Sequence, residues 1–176
     1  MLPKYIQLEN GLLLIIREGK SDDAASCIEY LEKVASESDF LTFGPGEFRP
    51  TLEEEKKVIK QYRKTDNKLS LVSTIDDRVV SIANFDGGSR PRTRHAGEFG
   101  ITVLKEFWNL KIGTNIIETL IEWAKTTDVI RKINLKVDTE NKKAIRLYEK
   151  FGFKKEGTIT RESLINGSFR DSYIMG

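Results

Sequence analysis

The stretch 98–114, EFGITVLKEFWNLKIGT, constrains the fold more than any other part of the chain. It begins with apolar residues spaced as in a buried strand, passes through a short polar turn, and continues into an amphipathic helix near Gly113. Another strand pattern, with alternating apolar residues, follows at 133–137. A strand, helix and strand of these lengths predict a right-handed crossover in which the two strands are parallel.

The turn between the first strand and the helix is a candidate anion site. The first N–H groups of a helix have no partner inside it, and the positive end of the helix dipole lies beside them. Lys105 and Lys111 add positive charge nearby. A phosphate or pyrophosphate fits such a turn, although any strand-to-helix turn in an α/β protein offers similar groups.

The remaining elements follow from periodicity and turn signals. We predict a strand at 12–17, a helix from 21 to about 37, and a second helix opened by a capping box of Thr51 and Glu54. Hairpins are predicted at 69–85 and 158–175, and a helix capped by Asn141 ends at Gly152, after which Phe153 opens a strand. The predicted order is βααβββαβαββ, in one α/β domain spanning residues 1–176.

Composition narrows the classes of function. A net charge of +2 over 176 residues is too small to indicate nucleic-acid binding, but it is compatible with a polyanionic small ligand. One cysteine and one histidine exclude an intramolecular disulfide framework and leave no zinc cluster, so we expect no metal. The N-terminal apolar run is only five residues long, and we therefore expect a cytoplasmic protein with no membrane partner.

The segment 141–153, NKKAIRLYEKFGF, carries the most specific pattern. Its form, N-x-x-A-x-x-L-Y-x-x-x-G-F after a strand, helix and strand, resembles the acetyl-CoA-dependent GNAT superfamily of N-acyltransferases. The resemblance covers nearly the whole chain. It implies a mixed, mostly antiparallel central sheet with a parallel, splayed strand pair and helices on both faces. It also implies transfer of an acetyl group from acetyl-CoA to a primary amine.

The resemblance places the phosphate turn of the coenzyme within the first stretch. In GNAT proteins that turn reads Arg or Gln, two residues, Gly, any residue, then Gly or Ala. Here the pattern falls on Trp108, Asn109, Leu110, Lys111, Ile112 and Gly113, followed by Thr114. Lys111 stands at the first glycine position. Because any residue except proline supplies an N–H group, the lysine either weakens binding or places its ammonium against a phosphate.

The resemblance also assigns the pantetheine arm. Ile101 and Val103 would offer main-chain groups where the two parallel strands splay, and Asn141 would bind the arm or its surroundings. Tyr148 resembles the tyrosine beside the coenzyme sulfur and would protonate the departing thiolate. Taken singly, Asn141 reads equally as a helix N-cap and Tyr148 as a core aromatic residue.

The acceptor side is less defined. Glu98 is a candidate base for the amine, or a solvent-facing strand carboxylate, and Glu47 could hold a cationic amine. The aromatic loop 38–50 either forms a wall of the substrate pocket or packs on the core. The pattern from His95 onward resembles the branch that modifies ribosomal-protein N-termini, amino acids, polyamines or small drugs. The acceptor is therefore a small-molecule amine or a protein N-terminus, and a homodimer is possible. The alternative function is an inactive acetyl-CoA-binding sensor or scaffold.

Overall fold

An eight-stranded mixed sheet with four α-helices forms the fold, in a computed structural model that describes residues 2–176. The strands are β1 (Lys4–Gln7), β2 (Leu13–Glu18), β3 (Lys68–Ile75), β4 (Arg78–Gly87), β5 (Ala96–Val103), β6 (Lys132–Asp138), β7 (Lys155–Ile165) and β8 (Ser168–Met175). The helices are α1 (Ala24–Ala35), α2 (Leu52–Arg63), α3 (Ile112–Thr126) and α4 (Lys142–Lys150).

The strand order across the sheet is β1-β2-β3-β4-β5-β6-β8-β7. Every neighbouring pair is antiparallel except β5 and β6, which are parallel as the crossover predicted. The predicted fold class, a mostly antiparallel sheet with one parallel pair, is confirmed.

One strand was not predicted, and the predicted start of another strand was wrong. Strand β1 was not expected, because its four residues are too few to give a periodic signal; its pairing with β2, from Lys4 opposite Ile16 to Gln7 opposite Leu13, makes it a strand. The order is therefore ββααβββαβαββ. Phe153 does not open β7, which starts at Lys155. Instead, its buried ring packs edge-on against Tyr148, with ring centroids 5.9 Å apart.

The parallel strands separate soon after they meet. Strands β5 and β6 pair at three positions, from Ala96 opposite Lys132 to Glu98 opposite Asn134. Beyond these positions β5 stays with β4, while β6 pairs with β8 from Leu135 onward. A wedge-shaped gap therefore opens in the sheet after Glu98.

Helices cover both faces of the sheet. Adjacent residues of β3 point to opposite faces, and Leu71 and Val72 accordingly belong to different apolar cores. The core with Leu71 includes Ile116 of α3 and Tyr148 of α4, whereas the core with Val72 includes residues of α1 and α2 such as Tyr30. Within residues 2–176, no helix is long and apolar enough to span a bilayer.

Candidate functional site

The gap between β5 and β6 exposes main-chain polar groups. The Gly88 N–H donates to the Ala96 carbonyl at 2.9 Å and the Leu104 N–H donates to the Val80 carbonyl at 3.0 Å, and these two bonds fix the antiparallel alternation along β5. Ile101 and Val103 therefore turn their N–H and C=O groups toward the gap. The Trp108 indole N–H donates to the Val103 carbonyl at 2.8 Å. This bond occupies the Val103 carbonyl and leaves its N–H group facing the gap.

The turn before α3 has an unusual backbone. Asn109 and Lys111 have φ angles of 66° and 60°, in the left-handed region that glycine adopts more easily. Lys111 thus takes the conformation that a glycine favours at the position where the family pattern has one. It is the N-cap of α3, and its carbonyl accepts the first helical bond, from the Asn115 N–H at 3.1 Å. The N–H groups of residues 112–114 precede that bond and remain available to an anion.

The Lys111 ammonium is held by an ion pair. Its Nζ lies 2.5 Å from Glu9 Oε1, on the turn between β1 and β2, and both side chains are exposed. The hydrogen bond to Glu9 raises the pKa of Lys111. The positive charge therefore stands at the rim of the turn and is shared with a carboxylate.

Gly113 allows α3 to approach α4 closely. A Cβ atom at this position would lie 3.1 Å from Leu147 Cδ2, which is tighter than an ordinary contact. The glycine is favoured here by the limited space beside Leu147, and its φ is not in the left-handed region.

Asn141 and Tyr148 lie on α4 and border the gap. The Asn141 side-chain oxygen Oδ1 accepts a hydrogen bond from the Ala144 N–H at 3.2 Å, so the residue is an N-cap in addition to lining the gap. Tyr148 is only 8% exposed, and burial raises its pKa to about 12. Its phenol is therefore protonated at neutral pH.

Two clefts meet at this gap. The first, which we name the basic cleft, has a volume of about 700 Å³ and is bordered by β5, the turn before α3, and α4. Four lysines and one glutamate line it: Lys111, Lys142, Lys143, Lys150 and Glu140. This excess of positive charge, beside the free N–H groups of the turn, suits a polyanion.

The second cleft, named the acidic cleft, has a volume of about 630 Å³. Its charged lining residues are four carboxylates and one lysine: Asp39, Glu98, Asp138, Glu162 and Lys136. Ile101, Thr102, Asn141 and Tyr148 line both clefts, so the clefts share the point where β5 leaves β6.

Most residues that the sequence nominated lie in this region. Nine of the ten candidate coenzyme residues line the basic cleft: Ile101, Val103, Trp108, Asn109, Lys111, Ile112, Gly113, Thr114 and Asn141. The tenth, Leu110, is outside this lining and packs against the core. Of the two catalytic candidates, Tyr148 borders both clefts, whereas Glu98 is exposed and lines only the acidic cleft.

The aromatic loop 38–50 contributes to the cleft walls. Phe40 borders both clefts, and Phe43 borders the acidic cleft while its ring lies 5.3 Å from that of Phe48. Glu47 lines neither cleft, because its carboxylate accepts a hydrogen bond from the Gly44 N–H at 2.7 Å. Its expected contact with a cationic amine has no support in this geometry.

Several lining residues were missed by sequence reasoning. Lys143 and Lys150 are seven residues apart, so they share one side of α4, and this spacing could have indicated a basic face. Asn84, Lys136 and Glu162 come from three different strands. No local pattern connects them.

Known proteins resemble this chain in sequence and in structure. The L-amino acid N-acetyltransferase AaaT of Escherichia coli K12 is 35% identical over 105 residues, which cover 60% of this chain and 65% of AaaT. Spermidine N(1)-acetyltransferase of the same strain is 35% identical over 78 residues, covering 44% of this chain and 42% of that protein. The chain thus spans less than two thirds of either relative.

A solved structure matches over a longer range. The acetyltransferase of the GNAT family from Streptococcus pneumoniae superposes with a TM-score of 0.89 at 34% identity, and the match covers 92% of this chain and 97% of that one. Residues 30–153 also match the sequence model of the acetyltransferase (GNAT) family. These residues include the splayed strands, the turn before α3 and the helix carrying Tyr148, and the chain therefore belongs to the acetyltransferase (GNAT) family.

Proposed function

We propose that this protein transfers an acetyl group from acetyl-CoA to a primary amine, either on a small molecule or at a protein N-terminus. One observation carries the proposal: a basic cleft and an acidic cleft meet at Tyr148, where unpaired main-chain groups of β5 face the gap. The relatives named as amino-acid and spermidine N-acetyltransferases support the choice of an amine as acceptor.

The basic cleft would hold the coenzyme. Acetyl-CoA supplies an activated thioester carbonyl and a polyanionic phosphate end. The N–H groups of residues 112–114 would bind the pyrophosphate, with lysines such as Lys143 adding charge. The main chain of Ile101 and Val103 would bind the amides of the pantetheine arm. This arrangement would direct the acetyl group toward Tyr148.

The reacting groups would then be held close together, which supplies much of the rate. Glu98, directly or through a water molecule, would take a proton from the acceptor ammonium, freeing the nitrogen lone pair. As the new N–C bond forms and the C–S bond breaks, a main-chain N–H of β5 would stabilise the charge on the carbonyl oxygen. Tyr148 would donate its proton to the departing sulfur and regain one, through solvent, as the acetylated nitrogen loses its second proton, while Glu98 would release its proton to solvent.

Calorimetric titration with acetyl-CoA, CoA and ATP tests the first half of the proposal. We expect acetyl-CoA to bind at about micromolar affinity or tighter, and more tightly than ATP. Lack of acetyl-CoA binding would remove the proposed coenzyme site.

A thiol-release assay with a mixture of amines tests the second half. Release must depend on both the amine and acetyl-CoA. Tight binding without release for any amine would instead identify a coenzyme-binding sensor or scaffold.

A further inference from the structure

The carboxylates of the acidic cleft are only partly neutralised. Lys136 is the one lysine or arginine lining this cleft within residues 2–176, and its Nζ lies 2.9 Å from Glu162 Oε1. That hydrogen bond, with a further contribution from the charge of Glu98, raises the pKa of Lys136. The ammonium therefore already faces the protein's own carboxylates and offers the carboxylate of a ligand less positive charge than an unpaired lysine would.

Of the three other carboxylates that line this cleft, two have no ion-pair partner within residues 2–176. Asp138 is largely buried, accepts a hydrogen bond from the Glu140 N–H at 2.7 Å, and has Arg170 at 3.8 Å. Glu98 and Asp39, in contrast, have no ion-pair partner within the described chain, residues 2–176. The acidic cleft thus favours an acceptor with a second positive charge, in addition to the ammonium that reacts.

A buried polar atom in the same cleft lacks a partner. Asn84 Oδ1 is inaccessible to solvent and has no hydrogen bond to any of residues 2–176. Asn84 lies opposite Gly100 across β4 and β5, and both residues line the acidic cleft. A Cβ atom at Gly100 would meet nothing within 4 Å, so this part of the cleft is open above the strand.

The walls between these polar groups are apolar. Leu31, Phe40, Phe43 and Ile82 line the same cleft. Aliphatic and aromatic side chains give a methylene chain a surface to pack on. The cleft therefore combines an apolar wall with separated carboxylates.

We infer that the acceptor is a linear diamine or polyamine, with a second cation several bonds from the reacting amine and no carboxylate. This inference rests on the proposed function and narrows its acceptor. Glu98 serves the reacting nitrogen, whereas Asp39 receives the remote ammonium. A free amino acid is disfavoured because its carboxylate meets only carboxylates and a lysine that is already paired.

Three acceptors of equal chain length test the inference: 1,4-diaminobutane, butylamine and 4-aminobutanoate. We expect kcat/KM for the diamine to exceed that for butylamine by about fivefold to tenfold, as for one partly shielded ion pair. 4-Aminobutanoate should be the poorest of the three. Raising the ionic strength should shrink the preference, because salt screens partly exposed charges. Equal rates for the three amines, or a preference for 4-aminobutanoate or free amino acids, would overturn the inference.

Asp39→Asn tests the remote contact, and Asp22→Asn, on an exposed residue outside both clefts, is its matched control. The first change should lower the ratio of diamine to butylamine kcat/KM by about threefold, because only the diamine carries a second ammonium. The control should leave the ratio as in the wild type. An unchanged ratio in Asp39→Asn contradicts the contact with Asp39.

Binding separates this inference from the proposed function. The same three amines are titrated into the protein saturated with CoA, so the ranking is measured without turnover. A preference for the diamine supports the inference even where thiol release is absent, in which case only the transferase proposal fails. Thiol release without a diamine preference would support the transferase proposal and overturn this inference.

Discussion

The basic and acidic clefts are nearly equal in size but opposite in charge. Their volumes are about 700 and 630 Å³, and they share Tyr148 and the splayed part of β5. Four lysines and one glutamate line the basic cleft, whereas four carboxylates and one lysine line the acidic cleft. The comparison teaches that one break in the sheet creates two specific environments. The basic set comes from the turn before α3 and from residues 140–150, and the acidic set comes from the loop 38–50 and from strands β5, β6 and β7.

The largest expected effect comes from the point that both clefts share. Tyr148→Phe keeps the ring that packs against Phe153 but removes the proton offered to the leaving sulfur. We expect kcat to fall by about 100-fold and the Kd for acetyl-CoA to change by less than about twofold. Single-turnover kinetics and calorimetry measure the two quantities. An unchanged kcat removes Tyr148 from the mechanism.

Unfolding at alkaline pH tests the protonation of the Tyr148 phenol in the folded protein. Burial raises the folded pKa of Tyr148 to about 12, above the ordinary value of about 10. Its contribution to stability is therefore complete below about pH 10 and is lost as the pH rises toward 12. Tyr148→Phe should lose less stability than the wild type over that interval in denaturant titrations.

Blocking only the acidic cleft is expected to have the next largest effect. In Gly100→Leu the side chain enters open space, so the fold is preserved while the acceptor path is filled. We expect kcat/KM for the amine to fall by about tenfold or more and acetyl-CoA affinity to be unchanged. If coenzyme affinity falls equally, the two clefts are not separate binding regions.

Gly113→Val is the counterpart on the basic side. The added carbons press on Leu147, and overpacking of this kind costs about 1–3 kcal/mol. We expect a lower melting temperature and weaker acetyl-CoA binding, because α3 and its N–H groups are displaced. Gly100→Val is the matched control and should lower neither quantity. A Gly113→Val protein with wild-type stability would show that the approach of α3 to α4 is not tight.

The smallest effect concerns the ion pair at the rim of the turn. Glu9→Gln should release the Lys111 ammonium and tighten acetyl-CoA binding by about twofold to threefold at low salt, whereas Lys111→Gln should weaken it by a similar factor. Calorimetry at two salt concentrations measures both. Tighter binding in Lys111→Gln would mean that the lysine hinders the coenzyme.

The two clefts also differ in how far the sequence predicts them. The basic cleft draws mainly on two continuous segments, 98–114 and 141–153, whose turn and capping patterns are local, and nine of the ten coenzyme candidates line it. Residues of α1 and of the following loop also line it: Val34, Ser38, Phe40 and Leu41. The acidic cleft assembles Asn84, Lys136 and Glu162 from separate strands, and their meeting depends on register and on the order β6-β8-β7. Such long-range pairing leaves no periodic signal. The left-handed backbone of Lys111 was likewise hidden, because its cause is the turn geometry and not the residue type.

The hydrogen bond from Trp108 to the Val103 carbonyl gives the protein a built-in optical reporter. The chain has two tryptophans: Trp108 is 36% exposed at the edge of the basic cleft, while Trp123 packs against Phe85 with ring centroids 5.5 Å apart. A ligand that enters the gap between the strands alters the surroundings of one indole and leaves the other unchanged. Intrinsic fluorescence, with Trp108→Phe as the silent reference, therefore follows the filling of the basic cleft in real time without a label.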